Sequence, residues 1–206
     1  MSNSKRTLWL TLLIFGIILI DQVLKIWIKT HMQLGESYEI TKWFYIYFVE
    51  NNGMAFGVEL IGKLFLTIFR LFAIVAIGYW LIKLLRKGYK MGFLLCVALI
   101  FAGATGNLID CVFYGQIFEG SLGQVASIFP ESGGYAPYLY GKVVDMFYFP
   151  LIESNYPSWV PYVGGDHFIF FSPVFNVADS AISVGVFLVL CFYRKTLSHS
   201  LEEPEK

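Results

Sequence analysis

The pattern of apolar residues along the chain predicts four helices that cross a membrane. A spanning helix needs about 20 consecutive apolar residues, because the hydrocarbon core of a bilayer is roughly 30 Å thick. Four stretches meet this requirement: residues 8–28, 60–81, 92–113 and 174–193. Two long connections, residues 30–59 and 114–173, separate the first stretch from the second and the third from the fourth.

The first apolar stretch also has features of a cleavable secretory signal, because basic residues precede it. No small-residue cleavage site follows Ile20, and the apolar pattern resumes past Asp21. We therefore interpret this stretch as a helix that the protein retains.

Basic residues predict which side of the membrane each connection occupies. Lysine and arginine are enriched on the cytoplasmic side of membrane proteins. Most of them lie near the termini or in the short link between the second and third stretches: Lys5, Arg6, Lys83, Arg86, Lys87, Lys90, Arg194 and Lys195. Each long connection contains a single one, Lys42 or Lys142. We therefore expect both termini in the cytoplasm and both long connections outside.

The external connections contain signals for β-structure. Residues 38–57 are rich in β-branched and aromatic residues and end in a glycine-containing turn, a pattern typical of strands. Glycine, serine and proline interrupt residues 119–142, which predicts a loop. Residues 143–152 are apolar except for Asp145, and we expect them to pack at the membrane surface. The predicted fold is all-α and polytopic, with four transmembrane helices and a small external β-containing subdomain. It forms one membrane-embedded domain over residues 1–206.

Composition supports this fold and excludes several functions. Hydrophobic residues make up 57% of the chain and charged residues 15%, whereas a soluble domain is about 45–50% apolar and about 25% charged. The zero net charge and the lack of a basic stripe give no reason to expect a nucleic acid partner. The cysteines, Cys96, Cys111 and Cys191, are scattered, and we interpret them as unpaired. The histidines lack the spacing of a metal site, so we expect neither a metal nor a cofactor.

The polar residues of the apolar stretches converge on the outer side. Two stretches carry the same Asn-x-x-Asp spacing, in Asn107 and Asp110 and in Asn176 and Asp179. In the predicted orientation, these residues lie near the outer ends of their helices. Further polar or turn residues lie on the same side: Asp21, Lys25, Asn51, Gly53 and Asp145. A charge at the centre of a spanning helix costs roughly 2.5–3.5 kcal/mol, so something must offset it.

A structural explanation stays open for part of this set. Asp21 and Lys25 are spaced to pair with each other on one helix face. Each Asn-x-x-Asp pair, in turn, can hold helices together through hydrogen bonds. Asp145 and Asp179 are harder to explain in this way, because Lys142 is the only basic residue near either of them in sequence.

Two carboxylates brought together have a chemistry of their own. They share one proton, so that one acts as general base on a water molecule and the other as general acid toward a carbonyl oxygen. A serine mechanism is the weaker alternative, because Ser180 and Ser183 have no histidine partner at a readable position. The sequence therefore favours acid–base chemistry by Asp145 and Asp179.

Five short motifs lie in order along the chain: DQVLK (21–25), NNGMAFG (51–57), GNLID (106–110), VVDMF (143–147) and FNVADS (175–180). Together they resemble the motifs of the lipoprotein signal peptidase family, the bacterial signal peptidase II. The resemblance implies an intramembrane aspartyl endopeptidase of the bacterial inner membrane, which removes the signal peptide of prolipoproteins before a cysteine that carries diacylglyceryl. Its partners would be lipidated prolipoprotein substrates and membrane lipid, and we expect a monomer.

The resemblance also implies roles for individual residues. Asp145 and Asp179 match the catalytic pair, and Asp21 and Lys25 match a polar pair on the first helix. Supporting or substrate-binding positions are matched by Asn51, Gly53, Asn107, Asp110, Asn176 and Ala178. Because Asn176 lies one turn before Asp179, we expect its amide to donate a hydrogen bond to the Asp179 carboxylate.

Two departures from the family pattern affect these expectations. The family has an arginine after the aspartate of the third motif, where this sequence has Cys111, so we expect Lys25 to pair with Asp110 instead. The spacing between Asp110 and Asp145 also exceeds the usual one, which we interpret as an external extension of the chain.

Two other classes of function compete with this interpretation. A small transporter or channel subunit would carry protons or ions on intramembrane carboxylates, and it predicts polar residues along the whole membrane depth. The cytoplasmic halves of the second, third and fourth stretches are almost purely apolar instead. An assembly or scaffold protein would leave the aspartates dispensable. Neither class explains why the polar residues converge on one side.

Overall fold

The computed structural model describes residues 2–52 and 62–202 as a helical bundle with a small antiparallel sheet at one end. The helices are α1 (Asn3–His31), α2 (Lys63–Arg86), α3 (Met91–Ile109), α4 (Gly115–Ile117), α5 (Val177–Phe192) and α6 (Arg194–Glu202). A π-helical turn, Asp110–Tyr114, joins α3 to α4. The strands are β1 (Ser37–Thr41), β2 (Phe44–Asn51), β3 (Val143–Tyr148), β4 (Ile152–Asn155), β5 (His167–Phe170) and β6 (Val174–Phe175).

Three segments of the described chain are long and apolar enough to cross a membrane: α1, α2 and the continuous segment Met91–Ile117. A fourth span exists only if α5 and α6, which meet at a 90° bend, are counted as one broken span. The chain is thus an integral membrane protein with three or four spans, and the number four itself is not confirmed.

The fourth predicted span, residues 174–193, needs a correction. Its first two residues form strand β6, and α5 begins only after Asn176, whose side chain caps the helix. The helix has 16 residues and is therefore roughly 24 Å long, which is shorter than the hydrocarbon core. An asparagine at this position favours the start of a helix, because its side-chain oxygen satisfies a first-turn N–H group.

α3 is the central helix of the bundle. Of its span, 56% is buried, against 11% for α1 and 17% for α2. Two glycines permit this packing: a Cβ atom on Gly103 would lie 2.2 Å from the backbone oxygen of Ala178, and one on Gly106 would lie 2.7 Å from Oδ2 of Asp21. Polar groups of α1 and α5 therefore meet directly against the α3 backbone.

The larger sheet has the strand order β1-β2-β3-β6, and β4 pairs with β5 in a separate hairpin. β1 and β2 confirm the strands that the sequence predicts within residues 38–57. Residues 143–148, which we expected to pack at the membrane surface, form the interior strand β3. The sheet thus contains both β2, which ends at Asn51, and the strand that carries Asp145.

One face of β2 and β3 packs on the end of α1. The buried side chains between them are mostly apolar or aromatic: Ile28, Met32, Phe48, Tyr114, Phe118, Ala126, Val144 and Met146. Side chains alternate between the two faces of a strand, so Asn51 and Asp145 lie on the opposite face. The sheet therefore separates an apolar cluster from the polar residues that the sequence singles out.

Residues 115–142, which the sequence analysis interprets as an extension, pack on the rest of the protein. Ser121 and Ala126 are buried, and Val125 forms an isolated β-bridge with Gln33, just beyond α1. The extension thus covers the end of α1 beside the sheet.

Candidate active site

Asp145 lies on the interior strand β3 and is almost fully buried, with 2% of its surface exposed. Two amides donate to its carboxylate: Nδ2 of Asn176 to Oδ1 at 2.7 Å, and Nδ2 of Asn51 to Oδ2 at 3.3 Å. Burial and, after it, the negative charge of Asp179 raise the pKa of Asp145 to about 7. Asp145 therefore holds a proton at mildly acidic pH and is partly protonated at neutral pH, and the two aspartates interact electrostatically.

Asp179 occupies the first turn of α5 and is half-buried. Nδ2 of Asn107 on α3 donates to its Oδ1 at 2.7 Å. Asp179 also lines a cavity of about 240 Å³ between α2, α3 and α5, whose other lining residues are Arg70, Ala73, Ile74, Ala104, Asn107 and Ile182. A carboxylate beside such a space can meet both a water molecule and a substrate.

Asn176 joins the two aspartates. Its Oδ1 accepts the backbone N–H of Asp179 at 2.9 Å, and its Nδ2 donates to Asp145. The expectation that its amide donates to the carboxylate of Asp179 is therefore wrong. An N-cap side chain turns its oxygen toward the helix, which leaves its NH₂ group pointing away, here toward Asp145. Asn107 supplies the donor to Asp179 instead.

Lys25 is a fully buried cation beside this pair. Its Nζ forms ion pairs with Oδ2 of Asp21 at 2.9 Å and with Oδ2 of Asp110 at 2.8 Å. It also donates to Oδ1 of Asn107 at 2.8 Å. The pairing of Lys25 with Asp110, expected because Cys111 stands where the family has an arginine, is confirmed.

The carboxylates of Asp21 and Asp110 also bind backbone groups. Oδ1 of Asp21 accepts the N–H of Ala178 at 2.9 Å, and Oδ2 of Asp110 accepts the N–H of Val144 at 3.2 Å. Each of these N–H groups belongs to the residue just before one of the two central aspartates. Asp21 on α1 and Asp110 just after α3 therefore fix the backbone next to Asp179 and Asp145, respectively.

The predicted site residues that the structure describes form one connected network: Asp21, Lys25, Asn51, Asn107, Asp110, Asp145, Asn176, Ala178 and Asp179. Gly53 lies outside the described residues. The network sits where α1 ends, α2 begins, α3 ends and α5 begins, so it occupies one end of the bundle.

Gln22 is a further member of the network, and it was not among the predicted site residues. Its Nε2 donates to Oδ1 of Asp110 at 2.9 Å, and its Oε1 accepts the hydroxyl of Tyr114 at 3.1 Å. Gln22 thus binds one carboxylate oxygen of Asp110, while the other oxygen binds the backbone N–H of Val144. The signal was available, because Gln22 lies inside the DQVLK motif between the two charged residues.

Arg70 was missed as well. Its Nη1 lies 3.2 Å from Sγ of Cys111, and Nζ of Lys63 lies 3.5 Å from the same sulfur. Two cations of α2 therefore surround the residue that replaces the family's arginine. An arginine inside an apolar stretch is by itself a candidate for function, and this signal could have identified Arg70.

Comparisons with known proteins identify the family of this chain. Residues 13–194 match a family model described as signal peptidase (SPase) II. A lipoprotein signal peptidase of Porphyromonas gingivalis is 54% identical over 191 residues, which cover 92% of this chain and 84% of that protein. A lipoprotein signal peptidase of Amoebophilus asiaticus is 34% identical over 195 residues, which cover 91% of this chain and 78% of that protein.

Two solved structures, each of a bacterial membrane enzyme determined by the in meso method, are similar to this chain. One, at 1.9 Å resolution, is 28% identical with a TM-score of 0.58, and the match covers 88% of this chain and 89% of the other. The second, at 2.3 Å resolution, is 27% identical with a TM-score of 0.60, covering 96% and 94%. The similarity therefore extends over most of the fold.

Proposed function

Because this chain belongs to the signal peptidase II family of bacterial membrane proteases, we propose that it is an intramembrane aspartyl endopeptidase. It removes signal peptides from prolipoproteins that carry diacylglyceryl, cutting before the lipidated cysteine. The observation that carries the proposal is the pair Asp145 and Asp179, joined through the single side chain of Asn176.

The environments of the two carboxylates suit different roles. Asp145 is buried and, with a pKa of about 7, holds a proton at mildly acidic pH and is partly protonated at neutral pH. Asp179 lines the cavity and accepts a hydrogen bond from Asn107. We assign Asp179 as the ionised general base and Asp145 as the general acid, because paired carboxylates with unlike surroundings divide acid and base roles in this way.

In the first step, Asp179 accepts a proton from water while the water oxygen attacks the carbonyl carbon of the scissile peptide bond. Asp145 gives its proton to the carbonyl oxygen, so a neutral tetrahedral diol forms. In the second step, Asp179 transfers the acquired proton to the amide nitrogen, and the C–N bond breaks. One diol hydroxyl returns its proton to Asp145 as the new carboxyl group forms. The pair is again singly protonated.

The surroundings of the pair suit a substrate held in lipid. The cavity next to Asp179 has apolar walls from Ala73, Ile74, Ala104 and Ile182. The polar network is confined to one end of the bundle, whereas the other end is packed with apolar side chains such as Leu84, Phe93 and Leu94. A bond cut at this end leaves the acyl chains of the substrate in the bilayer.

The same distribution argues against a transporter. An ion pathway needs polar groups through the whole membrane depth. The buried charged residues of the described helices instead occupy one end: Asp21, Lys25, Lys29 and Asp110. Proteolysis needs polar groups at one depth only, so it accounts for this arrangement better.

The proposal is tested with purified protein and a diacylglyceryl-modified prolipoprotein, with the cleavage position read by mass spectrometry. We expect a single cut before the lipidated cysteine. The matched control is the same prolipoprotein without the lipid, which should be cut poorly or not at all. Equal cleavage of both substrates would contradict the role of the lipid, and no cleavage of either would contradict the proposed activity.

We further propose that both termini are cytoplasmic, that the site lies near the outer face, and that the protein acts as a monomer. The basic link at Lys83–Lys90 supports the orientation. Reporter fusions at Lys87 and at the C-terminus should report the cytoplasm, and one at Gly134 the outside. A cytoplasmic Gly134 would place the aspartates on the wrong side.

A further inference from the structure

A second buried charge cluster lies behind the sheet, away from the two aspartates. Lys29 of α1 is fully buried, and its Nζ forms an ion pair with Oε1 of Glu50 on β2. It also donates to Oγ of Ser121 in the external extension at 2.9 Å. Aromatic rings surround the ammonium group, the nearest being that of Tyr135, with its centroid at 4.8 Å. The cluster joins α1, β2 and the extension.

Glu50 also reaches the start of β3. Its Oε2 accepts a hydrogen bond from Nζ of Lys142 at 3.2 Å, just before the strand that carries Asp145. Burial by itself would raise the pKa of Glu50, but the ammonium groups of Lys29 and Lys142 outweigh burial and hold that pKa below its usual value. Glu50 is therefore ionised at neutral pH.

Strand β2 connects this cluster to the active site. Glu50 and Asn51 are neighbours on β2 and point to opposite faces, so Glu50 meets Lys29 while Asn51 meets Asp145. The pairing of β2 with β3 is irregular between Ile46 and Val49. The register of the last β2 residues is therefore not set by the earlier pairs alone.

A slip of this segment by one residue would have a specific consequence. It would turn Glu50 toward the active site and Asn51 toward Lys29, because a one-residue slip exchanges the faces of a strand. A third carboxylate would then face Asp145, and the buried ammonium group of Lys29 would lose its charged partner.

We propose that Lys29 and Glu50 form a positioning pair that locks the end of β2 and so holds the amide of Asn51 on the carboxylate of Asp145. The inference rests on the proposed function and extends it. Lys29 does not touch the reacting groups, and it acts through Glu50 and Asn51. The extension takes part because Ser121 completes the polar contacts of Lys29. Buried ion pairs add little to stability but can fix register, which is the role assigned here.

The test replaces the ion pair by apolar side chains in the variant Lys29→Met/Glu50→Leu. Its kcat on the diacylglyceryl-modified prolipoprotein should fall about tenfold with KM unchanged, as expected for the loss of one hydrogen bond used in the transition state. Lys29→Met alone, which removes the same buried ion pair, should also lower kcat, and it serves if the double variant does not fold.

The pH profile separates positioning from general stability. Asn51 lowers the pKa of Asp145, so its displacement should move the alkaline limb of activity to higher pH, the direction that we also expect for Asn51→Ala. In Lys29→Met/Glu50→Leu, the charged groups that face Asp145, Asp179 from α5 and Lys25 from α1, stay in place, and Glu50 is no longer present as a third carboxylate. Combining Lys29→Met with Asn51→Ala should give no loss beyond that of Asn51→Ala alone.

Glu39→Gln is the matched control, since Glu39 is exposed on β1 and pairs there with Tyr45 of β2. It should keep the wild-type kcat and pH profile. Folded Lys29 variants with wild-type kcat and an unmoved limb would overturn the inference, as would a loss that multiplies with that of Asn51→Ala. Asp145→Asn, assayed in parallel, tests the proposed function separately: if it stays active, the mechanism fails whatever Lys29 does.

Discussion

The two Asn-x-x-Asp pairs have the same spacing in sequence but different surroundings in the fold. Asp110 follows α3 in a π-helical turn, is fully buried and forms an ion pair with Lys25. Asp179 lies in the first turn of α5 and lines a cavity. Among residues 2–52 and 62–202, the structure gives Asp179 hydrogen bonds but no ion pair.

The difference shows how one motif can serve architecture and chemistry. In the first pair, a neighbouring cation neutralises the carboxylate, which then binds a backbone N–H of β3. In the second pair, the asparagine is used as a helix cap and a bridge, and the carboxylate stays available to a ligand. A carboxylate paired with a cation can hold neighbouring backbone in place, whereas one that is only hydrogen-bonded stays available to a substrate.

Removal of Lys25 should leave Asp110, like Asp179, without an ion pair, and it should have the largest effect on stability. Lys25→Met leaves Asp21 and Asp110 as two buried carboxylates without their shared partner. We expect a loss of about 3–5 kcal/mol in the free energy of unfolding, the cost of breaking a buried ion pair from one side. Thermal and denaturant unfolding in one detergent would measure it.

The control for this loss is Lys42→Met, because Lys42 is an exposed lysine in the turn between β1 and β2. Its unfolding should stay within about 0.5 kcal/mol of wild type, as is usual for surface substitutions. A Lys25→Met protein as stable as this control would show that the ion pairs on α1 are not structural.

Asp145, the carboxylate paired with Asp179, predicts a stability effect of opposite sign: its replacement should stabilise the protein, whereas loss of Lys25 should destabilise it. The pKa of Asp145 rises on folding to about 7, from roughly 3.9 in the unfolded chain. A raised carboxyl pKa contributes stability below pH 4 that is lost as pH rises through 7. Asp145→Asn should therefore gain relative to wild type between pH 5 and pH 8, by roughly 2–3 kcal/mol. A constant difference in unfolding free energy between these pH values would contradict the buried, protonated state.

The smallest expected effect is a shift in the pKa of Asp145, seen in the pH dependence of activity. Activity should fall above pH about 7, where Asp145 loses its proton. Asn51→Ala removes a hydrogen bond to the carboxylate, so the pKa of Asp145 and the alkaline limb should rise by about 0.5–1 pH unit. The measurement is the pH dependence of kcat/KM. A limb that moves to lower pH, or does not move, would show that Asn51 does not act on Asp145.

Much of the fold could be predicted because a helix that crosses a membrane needs a long apolar stretch, which is easily recognised in a sequence. Apolar length alone located α1, α2 and α3, and the β-branched and aromatic residues before Asn51 indicated β1 and β2. The pairing of Lys25 with Asp110 was also within reach, since Lys25 lies on the same helix face as Asp21 and the family's arginine is missing.

The rest depended on contacts that no local pattern encodes. The start of α5 at Asn176 shortens an apolar run that hydropathy alone treats as continuous. The direction of the Asn176 amide depends on where β3 places Asp145, which is a matter of tertiary structure. The partner of Lys29 is Glu50, 21 residues away and brought near only by the sheet.

The most direct measurement of the central claim is the initial cleavage rate of Asp145→Asn and Asp179→Asn on the diacylglyceryl-modified prolipoprotein, with thermal unfolding recorded in the same detergent. Both rates should fall by about 10²–10⁴-fold, because the proton exchange that activates water is lost, while neither melting temperature falls. Ser180→Ala should keep most of its activity, because the hydroxyl of Ser180 donates to the backbone oxygen of Asn176 at 2.9 Å. An asparagine variant that cleaves at a near wild-type rate, or one that is inactive only because it unfolds, would contradict the aspartyl mechanism.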